Sequence, residues 1–326
     1  MKRRVAIVGA GVAGSMCARG LADVGVDVSV FDKGRSIGGR LAQHRRDGAV
    51  FDHGAQFVRP RDPVLTKLLH AGVMAGSVAR WPAAELDERP VYIGRPSMAT
   101  PFKQLLAEVP VKTDCRIVQL ARHDDGWHLE AADGAGHGPF ADVVLAIPAP
   151  QARDLLASAG PAAPPALGTM TGRAVMAPCW ALLLAFDPPL DLAGFDARSV
   201  ESGPIAWIAR NTSKPGREGR DAWTVHASAD WSTAHLEEAP VVVAASLLAA
   251  FRDLTGSGAI EPAYTAAHRW RYALVTEPVG EAALYDRPSG LGLCGDWCLG
   301  GKIEAAFLSG RALVEKMLVE SAKGQP

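Results

Sequence analysis

The chain lacks most of the features that restrict a protein to a specialised class. Cysteine is scarce, and the five thiols (Cys17, Cys115, Cys179, Cys294, Cys298) show neither a metal-ligand spacing nor the density of a small disulfide scaffold. Reduced, buried thiols are therefore expected. Charge of one sign is also missing: the formal net charge is -1 and the isoelectric point is near 6.8, which gives no bulk attraction for a nucleic-acid polymer. No apolar run approaches the ~20 residues needed to cross a bilayer. The basic start Met1-Lys2-Arg3-Arg4 leads into an apolar run that stops at Val8, short of the ~7–15 residues of a secretory signal core. A cytoplasmic protein with no membrane partner is expected. Internal repeats are absent, and the alanine-rich stretch 149–166 reads as compositional. What is present is ample apolar material: 48% of 326 residues, enough for two cores.

Glycine carries the first positive signal. Gly9-Ala10-Gly11-Val12-Ala13-Gly14 follows the apolar run Val5-Ala6-Ile7-Val8 and opens a helical stretch, Ser15 to Val24, closed by Gly25. In such a strand–turn–helix unit the first glycine permits the tight turn, the second admits a pyrophosphate to the backbone, and the third lets helix and strand pack closely. The phosphate then sits at the positive end of the helix. A second strand, Asp27 to Phe31, delivers Asp32 close to the ~20-residue separation expected of an acid that holds a ribose hydroxyl.

Further motifs decide between dinucleotides. Lys33 precedes Gly38-Gly39-Arg40, which places backbone amides and a fixed cation near phosphate. Phe51-Asp52-His53-Gly54-Ala55-Gln56-Phe57 supplies a turn able to bring main chain against a flat ring. At the other end, Gly292-Leu293-Cys294-Gly295-Asp296 reads as a short strand ending in an acid. After it, Ile303, Ala306, Phe307, Gly310, Leu313, Val314 and Met317 recur at helical spacing. Gly290, Gly292 and Gly295 match the first glycine pattern only formally, because they lie within the strand. In this order the motifs resemble the FAD-dependent amine-oxidase superfamily. The resemblance implies non-covalent FAD held by Gly9, Gly11, Val12, Ala13, Gly14, Asp32, Lys33, Gly39, Arg40, Gly54, Ala55, Gln56, Gly295, Asp296 and Ile303. A covalent flavin link or redox pair at Cys294 and Cys298 is the alternative to small buried residues there.

The expected fold is α/β: a discontinuous Rossmann-type FAD-binding domain with a second α+β substrate domain on a mixed or antiparallel sheet. Strands are expected over 111–120, 126–132 and 141–147. A helix from Asp62-Pro63 to Gly72 carries N-cap, N1-proline and C′-glycine signals. The FAD-binding domain is drawn from residues 1–57, 98–150 and 286–326, and the substrate domain from 58–97 and 151–285.

Trp180, Trp207, Trp223, Trp231 and Trp270 all fall in 151–285, either as core packing or as plates for a flat substrate. Their contexts, Trp207-Ile208-Ala209-Arg210-Asn211-Thr212-Ser213-Lys214-Pro215, Trp223-Thr224-Val225-His226 and His268-Arg269-Trp270-Arg271-Tyr272, resemble the bacterial renalases along nearly the whole chain. That resemblance implies an FAD oxidase of 2- and 6-dihydro isomers of NAD(P)H, with dioxygen reduced to hydrogen peroxide. Hydride loss from a dihydropyridine yields an aromatic ring, so no general base is required and no catalytic acid or base is assigned. Arg210, Asn211, His226, Trp231, His268, Trp270 and Tyr272 are the candidate substrate wall. Lys302 stands where amine oxidases carry a cage tyrosine, and is expected to select against amines. An amine oxidase is the main alternative. A non-catalytic flavin redox sensor and a plain NAD-dependent dehydrogenase are the others.

Overall fold

The computed structural model describes residues 3–84, 89–192, 195–258 and 260–322, so Met1 and Lys2 of the basic start lie outside it. The chain divides into two compact units: residues 1–39, 102–176 and 275–326 form one, residues 40–101 and 177–274 the other.

The first unit is built on a six-stranded sheet in the order Leu284–Asp286, Leu291–Leu293, Asp142–Leu145, Arg4–Val8, Asp27–Phe31, Val111–Lys112. All neighbours run parallel except the first pair. The central strands are buried on both faces, as their continuous apolar runs require. Helix Val12–Asp23 follows the first strand, and helix Ile303–Ala322 packs along it. A Cβ on Gly310 would lie 2.3 Å from the Ala13 carbonyl oxygen, and one on Gly20 would lie 3.0 Å from Val314. Glycine thus lets the two helices meet closely. A three-stranded antiparallel sheet, Gly136–Phe140, Gly126–Ala131 and Ile117–His123, completes this unit.

The expected single strand over 111–120 is two. Asp114 adopts a left-handed conformation (φ 50°), which breaks the run, so that Val111–Lys112 joins the parallel sheet and Ile117–His123 the antiparallel one.

The second unit holds a five-stranded sheet in the order Ala197–Ser199, Ile205–Arg210, Asp221–Ala227, Val175–Phe186, Tyr264–Glu277. Helix Pro240–Thr255 buries Val243, Ala244, Leu247 and Phe251 in a core with Trp180, Leu182, Leu184, Trp223 and Val225. Helix Pro63–Met74 begins as expected: the Asp62 carboxylate accepts from the amides of Val64 and Leu65, both at 2.9 Å. Its end differs. Gly72 is a buried helical residue where a Cβ would come within 2.5 Å of Val78, and the left-handed glycine is Gly76 (φ 74°).

The unit boundaries also differ from the expected domains. Residues 40–57 belong with the second unit, because Asp52 and Gln56 bond to the segment around Lys214. Residues 151–176 belong with the first, because Leu155, Leu156 and Leu167 pack into the core beside the parallel sheet.

Candidate functional site

In the first unit, Gly9 has φ 109° and its Cβ would lie 2.5 Å from the Ala146 carbonyl oxygen, while one on Gly14 would lie 1.9 Å from the Gly9 carbonyl oxygen. Neither position tolerates a side chain. Gly11 is different: a Cβ there meets nothing within 4 Å. Gly11 is also the N-cap of helix Val12–Asp23, and no side chain caps that helix. Its first amides therefore have no intrahelical partner and face an open cradle. The second glycine pair closes one side: the Gly38 amide donates to the Ala10 carbonyl at 3.0 Å, and a Cβ on Gly39 would lie 3.5 Å from the Gly11 Cα.

Asp32 ends the second strand with its carboxylate accepting from the amides of Ala10 (2.6 Å) and Gly34 (2.7 Å). Lys33 is exposed. In the C-terminal motif, Gly295 donates its amide to Ser309 Oγ at 3.0 Å, and a Cβ there would meet the Trp297 indole at 2.4 Å. Asp296 is buried at the start of a short turn that precedes helix Ile303–Ala322, and Ile303 is the first residue of that helix. Lys302 is exposed immediately before it. Cys294 and Cys298 are free and buried. Its hydrogen bond with Cys17 together with burial raises the Cys294 thiol well above its ordinary range, and burial pushes Cys298 up to about 12. Both are inert packing residues in this state.

In the second unit, the Gly54-Ala55-Gln56 turn is fastened to Arg40, whose carbonyl accepts from the Ala55 amide at 2.9 Å and lies 2.0 Å from where a Gly54 Cβ would be. The Arg40 guanidinium donates to the Ala273 carbonyl at 3.0 Å. Gln56 is buried, with its amide nitrogen donating to the carbonyls of Asp52 and Gly54. Its oxygen accepts from Lys214 Nζ at 3.0 Å. Lys214 also bonds Asp52 Oδ2 at 3.1 Å, and Arg217 reaches the same oxygen at 2.9 Å. Asn211, fully buried, accepts from the Asp52 amide and donates to Thr224. Burial opposes the charge on Asp52, but Lys214 and Arg217 outweigh it and hold the carboxyl below its ordinary range. Burial pushes Lys214 down to about 8 against the opposing pull of Asp52.

Three of the expected wall residues converge on His53, a residue outside the expected wall. Its imidazole stacks on Trp270 (centroids 5.0 Å apart, 28°) and meets the His268 ring edge-on at 4.7 Å. Its carbonyl accepts from Trp270 Nε1 at 2.9 Å and from His226 Nε2 at 3.2 Å. His268, Trp270 and Tyr272 alternate along strand Tyr264–Glu277 and so share a face. Burial pushes His53 down to about 3, aided by the neighbouring histidines, and His226 down to about 4. The cluster is therefore neutral at ordinary pH.

Two expected wall residues lie elsewhere, and a third is used internally. Arg210 is consumed by Asp221 (2.8 Å), Asp196 and the Leu190 carbonyl, and lies over the Trp223 ring. Trp231 stacks on His235 at 4.0 Å. Asn211 belongs to the buried network around Asp52, as does Gln56, expected at the cofactor; their polar groups bond the protein itself. Of the tryptophans, Trp180 and Trp223 are core, and Trp207 packs against Phe57. His53 sits directly before the Gly54-Ala55-Gln56 motif, so its position was a usable signal.

Comparison with known proteins places this geometry. Residues 7–71 match the NAD(P)-binding Rossmann-like domain, and residues 82–318 match the flavin containing amine oxidoreductases. The chain belongs to the flavin containing amine oxidoreductase family. Over 58 residues it is 43% identical to the 4,4'-diapophytoene desaturase (4,4'-diaponeurosporene-forming) of Staphylococcus haemolyticus, and over 59 residues 39% identical to that of Staphylococcus aureus. Those segments make up 18% of this chain and 12% of each desaturase. A solved candidate protoporphyrinogen oxidase of Exiguobacterium sp. 255-15 superposes with a TM-score of 0.76 at 15% identity, covering 98% of this chain and 99% of its own. Cyclohexylamine oxidase of Brevibacterium oxydans does so with 0.72 at 15%, covering 99% and 100%. These likenesses establish the fold. As a member of this family the chain is an FAD oxidoreductase. Its first unit fits that cofactor: an uncapped helix N-terminus faces open space at Gly11, beside a carboxylate at the end of the second strand. No helix among the described residues is long and apolar enough to cross a membrane.

Proposed function

We propose that this amine oxidoreductase is a renalase-like oxidase that converts 2- and 6-dihydro isomers of NAD(P)H to NAD(P)+. The observation that carries the reading is the neutral ring cluster of His53, His226, His268 and Trp270. None of these four rings hydrogen-bonds a carboxylate among the described residues, so the cluster offers flat ring faces and no anion. A substrate whose hydride loss creates an aromatic ring needs no proton taken from carbon, only a fixed plane and an excluded alternative geometry. An alkylammonium substrate must shed a proton and is better served by an anion.

Gly9, Gly11, Val12, Ala13 and Gly14 would hold the FAD pyrophosphate, and Asp32 a ribose. Gly39, Gly295, Asp296 and Ile303 would flank the same cofactor. Bound FAD would supply the hydride acceptor and pass the electrons to dioxygen, giving hydrogen peroxide. Lys302, exposed ahead of helix Ile303–Ala322, is a cation that would suit an anionic nucleotide and oppose an ammonium.

The test is aerobic turnover with each dihydro isomer, ordinary NAD(P)H and a panel of amines. The reading requires peroxide and NAD(P)+ in equal amounts from the isomers. Turnover confined to amines would replace it with an amine oxidase.

A further inference from the structure

We propose that His53 is a specificity-determining residue that reads the carboxamide-bearing ring of the substrate, donating or accepting one hydrogen bond at that amide. The proposal rests on the dihydronicotinamide reading above and names the side chain that recognises the ring.

His53 is only 7% exposed, and its Nδ1 is buried with no hydrogen-bond partner. Among the described residues, no hydrogen bond engages either ring nitrogen. A buried polar atom without a partner is costly and is kept where something else completes it. Everything else about His53 is over-determined. Trp270 and His268 fix the plane and edge of the imidazole, and Trp270 and His226 both donate to its carbonyl. The preceding residue, Asp52, is anchored through its amide by Asn211 and through its carboxylate by Lys214 and Arg217. Gln56 ties the other end of the turn to the carbonyls of Asp52 and Gly54. A side chain so firmly held, with its nitrogens unengaged, is preorganised for a ligand.

The surrounding charge selects the class of ligand. Asp52, the carboxylate adjacent in sequence, is spent on two cations, Lys214 and Arg217, and Arg217 Nη1 is itself buried without a partner. The buried charge that anchors the turn is thus positive in sum, two cations to one carboxylate, which disfavours an ammonium. A carboxamide is neutral and presents both a donor and an acceptor, so it satisfies either tautomer of a neutral imidazole. Its planar ring also matches a stacked aromatic neighbour.

The experiment is calorimetric titration of the FAD-loaded enzyme with NAD+, and with the analogue bearing hydrogen in place of the carboxamide. Wild type is compared with His53→Phe, which keeps a ring, and His53→Gln, which keeps a hydrogen-bonding group. Loss of one neutral hydrogen bond predicts NAD+ binding weakened about three- to tenfold in His53→Phe. The analogue should bind wild type and His53→Phe alike, and His53→Gln should retain part of the preference for NAD+. Equal weakening for both ligands would show that His53 only shapes the cluster, and no weakening for either would also overturn the proposal. Wild type that turns over the dihydro isomers while either of these patterns holds leaves the function standing and removes His53 from recognition. Wild type that neither turns over the isomers nor binds NAD+ removes both.

Discussion

Lys214 Nζ lies 3.1 Å from Asp52 Oδ2, and both side chains are buried, at 0% and 1% exposure. Arg217, equally buried, shares the same carboxylate, so two cations answer one anion. Breaking a buried pair costs most when a charge is stranded. Asp52→Asn strands both cations and is expected to cost about 3–5 kcal/mol. Lys214→Met leaves Asp52 its Arg217 contacts and should cost clearly less. Urea denaturation of the two FAD-loaded variants checks the order, and equal losses would contradict it.

The glycines of the first motif separate folding from cofactor binding. Gly14→Ala forces a Cβ to within 1.9 Å of the Gly9 carbonyl oxygen, so it should disrupt the strand–helix packing itself. Gly11→Ala enters open space and should leave the apoprotein as stable as wild type while abolishing most FAD retention. Flavin content and apoprotein denaturation, measured together, distinguish the two.

Acid should weaken the second unit in a defined window. His53 at about 3 and His226 at about 4 both lie below the ordinary histidine value of 6.5, so the folded state binds fewer protons than the unfolded one between those limits. Stability is then complete above about pH 6.5 and falls as pH drops toward 4, by up to about 1.4 kcal/mol per pH unit for each group. The depressed Asp52 carboxyl adds a loss at still lower pH. Urea midpoints at pH 7.5, 6 and 5 check the slope, and His226→Phe should flatten it.

Arg210 gives a contrast with the ring cluster. Its guanidinium is occupied by Asp221, Asp196 and the Leu190 carbonyl, and Asp221 is 5% exposed. Arg210→Ala should cost about 1.5–3 kcal/mol of stability through the charged bonds lost. The KM for the proposed dihydronicotinamide substrate should stay unchanged, because the side chain is occupied within the protein.

The dinucleotide half of this protein was legible because its signals are backbone signals. Gly9 and Gly14 stand where only glycine fits and Gly11 where the space beside the backbone is open, and the apolar runs around them dictate buried parallel strands. The ring cluster was partly legible: His226, His268 and Trp270 stood out as chemistry-bearing residues in an apolar region. What the sequence could not convey is pairing across distance. Arg210 reads the same whether it faces a phosphate or Asp221, and Lys214 shows its role only when the chain brings it to Asp52 and Gln56. The unit boundary at Arg40 has no signature in the sequence for the same reason, since long-range polar contacts leave no local pattern.

The most direct test of the account is anaerobic mixing of the purified FAD-loaded protein with 2- and 6-dihydro-NAD(P), ordinary NAD(P)H and amines, following the flavin absorbance in a single turnover. A renalase-like oxidase is bleached rapidly by the dihydro isomers and little by the others. Bleaching by amines with none by the isomers would contradict it.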